Sequence, residues 1–233
     1  MNRINFEDNF EIYLFTYPNE TASSSKLNEF LAFLKFHKIG HPYKFSFVST
    51  TASLIPEMTL NQNIMIDFTP NSLTESKDVQ FQDFLKADKR QALNALYNTL
   101  ELPHEMPAHS NAQMKKVCSL IKSLLYEGEF LFFEEPEIDL EPEALGLFIE
   151  ALKERVQDRQ INVFIYSKSP HMWMSHSHKS VQRMADYNFL VTPIVKDLDW
   201  KKERENFYAP IPGPEEMGEL RFIYPNQTKK KAA

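Results

Sequence analysis

The stretch FLFFEEPEIDLEP, residues 130–142, decides how the rest of the chain is read. Its four leading apolar residues run without alternation, the pattern of a strand buried on both faces of a parallel sheet. The run stops at Glu134 and Glu135, followed by Pro136. Ligands of open α/β sheets collect at the carboxyl ends of the strands, and neighbouring strand residues point to opposite sides. One glutamate can then face a metal while the other faces an attacking water. The alternative is simple capping, in which acidic residues favour the positive end of the next helix, starting at Asp139 or at residues 141–143. Spacing alone leaves both readings open.

Working outward, residues 113–126 form an amphipathic helix with Val117, Leu120, Ile121, Leu124 and Leu125 on one face. A second helix after Pro142 carries Leu145, Phe148, Ile149, Leu152 and Val156 at core spacing. NVFIYS (162–167) and YNFLV (187–191) read as strands. Upstream, FEIYLFTY (10–17) and YKFSFVS (43–49) flank a helix over 25–38 with Leu27, Phe30, Leu31 and Leu34, and serines 23–25 supply its caps. A polar stretch (68–80) leads into helical segments through 86–102. Alternating strands and helices predict an α/β fold with a parallel sheet and right-handed crossovers. From about Thr192 the chain turns irregular and proline-containing, which predicts an extended arm carrying Trp200, Phe207, Tyr208, Phe222 and Tyr224.

Composition narrows the function. The 233 residues are 42% hydrophobic, enough for one or two compact domains, and no apolar run of membrane-spanning length exists. The N-terminus shows no secretory pattern, and the single Cys118 excludes an internal disulfide and fits a reducing, cytoplasmic compartment. A net charge of −6 argues against nucleic acid as the main partner. Only five glycines leave few places for a loop whose backbone must approach a phosphate closely. His171, His176 and His178 lack a cysteine or a spaced acidic partner, so a polar helix–loop explains them better than a metal site. Burial is likewise the plainer reading of Met172, Trp173 and Met174 beside them.

Residues 130–142 resemble the Walker B strand, catalytic glutamate and following loop of ATP-binding cassette (ABC) ATPases, with Leu140-Glu141-Pro142 at the place of Leu-Asp-Pro. Further likenesses fall in the family's order. SNAQ (110–113) is similar to the signature Ser-Gly-Gly-Gln, and NVFIYSKSP (162–170) to the strand and switch region. SLIPEMTLNQNI (53–64) resembles the segment after the Q-loop, and residues 10–34 the phosphate-loop strand, loop and helix. The resemblance implies a P-loop NTPase-like core over 1–64 and 115–191, with a parallel sheet flanked by helices. It also implies a helical subdomain over 65–114, a reduced antiparallel β subdomain, and a C-terminal arm over 192–233.

Position by position, the hydrolytic machinery is eroded. Tyr17, Glu20 and Ala22 stand at phosphate-loop glycines, and Ser23 at the lysine, while Ser24 retains a hydroxyl for magnesium. Thr50 takes the Q-loop glutamine's position, Asn111 and Ala112 those of the signature glycines, and Lys168 that of the switch histidine. Glu134 sits at the metal-associated position, and Glu135, at the catalytic position, is the one unchanged member. Lys26 lies too far along its helix to replace the missing lysine. The acids crowding 134–143 would repel a polyphosphate, at a cost on the order of 1–4 kcal/mol per close pair.

The resemblance therefore implies a catalytically inactive ABC-type subunit with no cofactor, or Mg-ATP if the site is active. Its implied partners are a second ABC-type ATPase subunit, in a homo- or heterodimer, and an integral membrane subunit reached through Leu54, Ile55, Pro56 and Met58. That places it in the cytoplasm, at the inner face of a membrane through its partner. Two alternatives remain. One is a divergent active ATPase in which Lys26 or Lys168 supplies charge. The other is an ATPase-like subunit of a DNA-maintenance or phage-defence complex, suggested by EPEIDLEPE (135–143) and SKSPH (167–171).

Overall fold

Alternation along the strands builds two chemically different cores on the faces of one sheet. The computed structural model describes residues 10–16, 25–37, 43–66, 90–159, 161–184 and 188–194. The chain divides into two units, Met1–Ile194 and Val195–Ala233. The fold given below is that of the first unit, and the arm's aromatics lie outside the described residues. So do Tyr17, Glu20, Ala22, Ser23, Ser24 and residues 67–89.

Strands β1 (Ile12–Thr16), β2 (Phe45–Val48), β3 (Phe130–Glu134), β4 (Asn162–Tyr166), β5 (Lys179–Arg183) and β6 (Phe189–Pro193) form a six-stranded sheet. Its order is β2-β3-β4-β1-β5-β6. Every neighbouring pair is parallel except β5 and β6, so the sheet is mostly parallel rather than wholly so. The connection between β5 and β6 is too short for a parallel crossover, which needs a dozen or more residues. The pair closes instead as a hairpin, with Met184 N–H donating to the Asn188 carbonyl at 2.8 Å. Strand β5, KSVQR, escapes the sequence reading because Val181 is its single buried apolar side chain. Its place comes from the ladder it makes with β1.

Helices α1 (Lys26–Phe36), α2 (Leu60–Met65), α3 (Gln91–Asn98), α4 (Ala112–Leu125), α5 (Pro142–Arg159) and α6 (His171–Met174) complete the described elements, with a 3-10 turn at Pro107–His109. One sheet face presents Ile12, Leu14, Val48, Leu131, Phe133, Val163 and Ile165 to a largely aliphatic core shared with α2 to α5. The alternate residues Tyr13, Phe15, Phe130, Phe132, Phe164 and Tyr166 face Phe30, Phe33 and Leu34 of α1. Phe30 stacks on Phe132 with centroids 4.7 Å apart, and Phe33 meets Phe15 edge-on at 5.4 Å. Such pairs add about 0.5–1.5 kcal/mol each beyond their buried area, which explains much of the high phenylalanine count.

The helix ends follow ordinary capping chemistry. Asn111 caps α4 by accepting from Met114 N–H at 2.8 Å. Thr59 and Gln62 form a capping box at α2, and Pro142 occupies the first position of α5. Ser25 is the N-cap residue of α1, but its side chain makes no capping bond. Helix α4 buries the apolar face its periodicity predicts, and it also buries Lys116. Trp173 is buried against Phe148, with ring centroids 6.3 Å apart, whereas Met172 is exposed.

Candidate functional site at the carboxyl edge of the sheet

Strands β2, β3 and β4 lie side by side and parallel, so the residues just beyond them emerge together. Glu134 is the last residue of β3, on the α1 face with Phe130 and Phe132 by alternation, and it is half-buried. At Glu135 the chain turns through a left-handed φ of 46°, an uncommon and strained conformation for a residue with a Cβ. Its N–H donates to the Tyr166 carbonyl at 2.7 Å, which prolongs the β3–β4 ladder past the strand.

The turn directs the Glu135 side chain into the protein, where the residue is only 3% exposed. A buried carboxylate needs partners to offset its lost hydration. Thr50, just beyond β2, donates its hydroxyl to Oε2 at 3.0 Å. Lys168, just beyond β4, places its ammonium 2.9 Å from Oε1. The lysine side chain is itself 63% exposed, so it reaches the carboxylate from the solvent side and stays largely hydrated. Thus Thr50, Glu135 and Lys168, singled out separately in the sequence, converge on one carboxylate.

Beneath them lies Lys116 of α4, buried at 1% exposure. Its ammonium donates to the carbonyls of Ser49 at 3.2 Å, Thr50 at 3.0 Å and Glu135 at 3.1 Å. All of its donor capacity is thereby used. Burial lowers its pKa below the ordinary lysine value, and the nearby charges of Asp139, Glu137, Glu134 and Glu135 oppose that shift. The sequence signal for this residue is a lysine at i−4 from Leu120 and i−8 from Leu124, on the buried row of α4.

The loop that follows is fastened at each end. Glu137 accepts from the Trp173 indole N–H at 3.1 Å and from the Ser167 hydroxyl. Ser167 Oγ in turn accepts from Ser169 N–H at 2.9 Å. Asp139 also has positive φ, 65°, and Glu141 N–H donates to Gln113 Oε1 at 3.1 Å. In the sequence Glu137 stands only as one of the acids crowding 134–143, because its partners lie far along the chain. Lys26 at the start of α1 holds its ammonium over the Tyr166 ring, 4.4 Å from the centroid.

The expected partner-contact residues sit on a preformed turn before α2. Asn63, fully buried, accepts from Ile55 N–H at 2.7 Å and donates to the carbonyls of Ile55, Met58 and Thr59 at 3.0–3.1 Å. Pro56 is exposed on this turn, while Leu54, Ile55 and Met58 are half-buried. Of the three histidines, His178 has a structural use: its Nδ1 accepts from Ile12 N–H at 2.9 Å, pinning the start of β1. Among the described residues no cluster of three His, Cys, Asp or Glu is arranged to hold a metal, and no helix is long and apolar enough to cross a membrane.

The described residues do not fit a hydrolytic magnesium–nucleotide centre. A general base must reach the water it activates, yet Glu135 is buried, its Oε2 accepts from Thr50, and its Oε1 lies in ionic contact with the Lys168 ammonium at 2.9 Å without an aligned hydrogen bond. No hydrolytic step follows from this arrangement.

No family model matches the sequence, and no curated protein matches it. Solved structures do match. An ATP-binding subunit of an ABC transporter aligns with 86% of this chain and 84% of its own, at 14% identity and a TM-score of 0.57. A putative metal-chelate type ABC transporter in an inward-facing conformation aligns with 86% of this chain and 78% of its own, at 14% identity and 0.53. The ATP-binding cassette MJ0796, in a dimeric post-hydrolysis state bound to ADP and Pi, aligns with 84% and 88%, at 10% identity and 0.53. At such identities the likeness is one of fold. The chain has an ABC ATPase-like α/β fold, as its ordered motifs imply.

Proposed function

We propose that this protein is a catalytically silent ABC-type ATPase-like subunit, a structural or regulatory partner in a membrane transport-type complex. The observation that carries the reading is the double engagement of Glu135 by Thr50 and Lys168. The position that would activate water is occupied by the protein's own side chains, and these come from the Q-loop-like and switch-like positions. The rigid turn at 54–58, clamped by Asn63, supports a docking role, since a preformed surface loses little entropy on binding. A second ATPase-type subunit and an integral membrane subunit are the partners this reading assigns, at the cytoplasmic face of the membrane.

Phosphate release from ATP by the purified chain tests the silent state. Wild type and Glu135→Gln should both stay at background. Turnover in wild type that disappears in Glu135→Gln would instead establish a divergent ATPase. That second reading draws on Lys26, whose ammonium lies above Tyr166 at the same edge of the sheet.

A further inference from the structure

We infer that the turn at 54–58 and the loop at 101–106 form one docking face, whose occupant is a basic amphipathic segment of a partner protein. The inference rests on the docking role proposed above and names the chemistry that role requires. The two segments are distant in sequence, yet both are fixed at the start of α2. Leu60 N–H donates to the Glu105 carbonyl and Asn61 N–H to the Pro103 carbonyl, each at 2.9 Å. The Tyr97 hydroxyl of α3 donates to Asn61 Oδ1 at 2.7 Å, and Asn63 holds the turn from within. The loop backbone is thereby secured beside the turn. Apolar side chains nevertheless stay at the surface: Leu102 is 50% and Met106 38% exposed, and Pro56 is exposed on the turn. Exposed apolar groups gathered on a fixed backbone mark an interaction surface. The charge around them has one sign. Glu57 and Glu101 are exposed and Glu105 is half-buried, and residues 50–66 and 98–113 include no lysine or arginine. An apolar centre with an acidic rim complements apolar side chains flanked by lysines or arginines. The same rim repels an anionic lipid surface and nucleic acid, which argues against both as occupants.

The probe is a fluorescein-labelled amphipathic helical peptide of leucine, alanine and lysine, with a counterpart in which glutamate replaces every lysine. Each is titrated with the full chain and followed by fluorescence anisotropy. One variant combines Leu102→Ser with Met106→Ser, and a second combines Glu57→Gln, Glu101→Gln and Glu105→Gln. A charge control removes three exposed acids elsewhere, by Glu129→Gln, Glu150→Gln and Asp158→Asn. Each chain should keep the wild-type circular dichroism spectrum, which is checked first. The lysine peptide should bind wild type saturably, one per chain, and the glutamate peptide should not. The apolar variant and the acid variant should each bind at least about tenfold more weakly. The charge control should change binding by less than about twofold. Absence of saturable binding to wild type would overturn the inference, as would full binding by the apolar variant. Equal weakening in the charge control would overturn it too, by showing diffuse attraction to a chain of net charge −6. Binding of wild type to phosphatidylglycerol vesicles that the apolar variant loses would make the face a lipid surface and also overturn it. Phosphate release is read separately, so failure here is distinct from failure of the silent reading.

Discussion

Lys116 shows how a single residue organises the site without touching a ligand. Its three carbonyl partners belong to the segments after β2 and β3, so one ammonium fixes two loops. Lys116→Met should leave those carbonyls unsatisfied and lower stability by about 2–4 kcal/mol, measured by urea unfolding. The sequence signal for it, a lysine on an apolar helix row, went unread, and the carbonyls it meets leave no signal at all. Cys118, two residues along α4, was legible as a small buried thiol, and its Sγ–H donates to the Leu60 carbonyl at 3.4 Å. Burial pushes its thiol from 9.0 up to about 12. The unfolded chain then ionises first, so unfolding releases a proton in that window, and stability falls as pH rises from about 9 toward about 12. The slope contributed by this group approaches about 1.4 kcal/mol per pH unit. Cys118→Ala should flatten the alkaline decline relative to wild type when urea midpoints are compared below and above the ordinary thiol range. Equal slopes in the two proteins would assign the decline to other groups.

Among the elements, the turn before α2 owes its shape to one side chain. Asn63 adds side-chain bonds to the backbone of residues 55–59, beside the turn bond from Met58 N–H to the Ile55 carbonyl and the helical bond from Asn63 N–H to the Thr59 carbonyl. Asn63→Ala should cost about 2–3 kcal/mol. It should also speed amide exchange at Ile55 selectively, an effect that hydrogen-exchange NMR would detect. Unchanged exchange at Ile55 would mean the turn is held by packing alone. The sequence reading placed this segment by resemblance but could not see the clamp, because an asparagine eight residues away carries no periodic signal. Strand β5 was illegible for a related reason, since its position depends on β1 rather than on its own alternation. Strands β1, β3 and β4 were legible because nearly every residue in each is buried, which demands continuous apolar sequence. The pairing of Glu137 with Ser167 and Trp173 escaped for the opposite cause: polar contacts across loops leave no pattern in either partner.

Across the whole molecule, an ABC ATPase-like sheet carries Thr50, Glu135 and Lys168 at its carboxyl edge. Fold and chemistry rest on different residues. Burial on both sheet faces sets the strand order, and that order delivers Thr50, Glu135 and Lys168 to one place whatever they are. Each of the three was placed separately by resemblance to the ordered motifs, whereas their mutual pairing required the parallel register of β2, β3 and β4. The pairing makes the edge self-sufficient. Calorimetric titration of the wild-type chain with Mg-ATP, carried to millimolar nucleotide, tests that self-sufficiency most directly. No saturable heat is expected, because the Glu135 carboxylate, at the water-activating position, is already engaged by Thr50 and Lys168. Saturable binding at one nucleotide per chain, weakened by Glu135→Gln, would contradict the account and mean that Lys168 yields its place to a ligand.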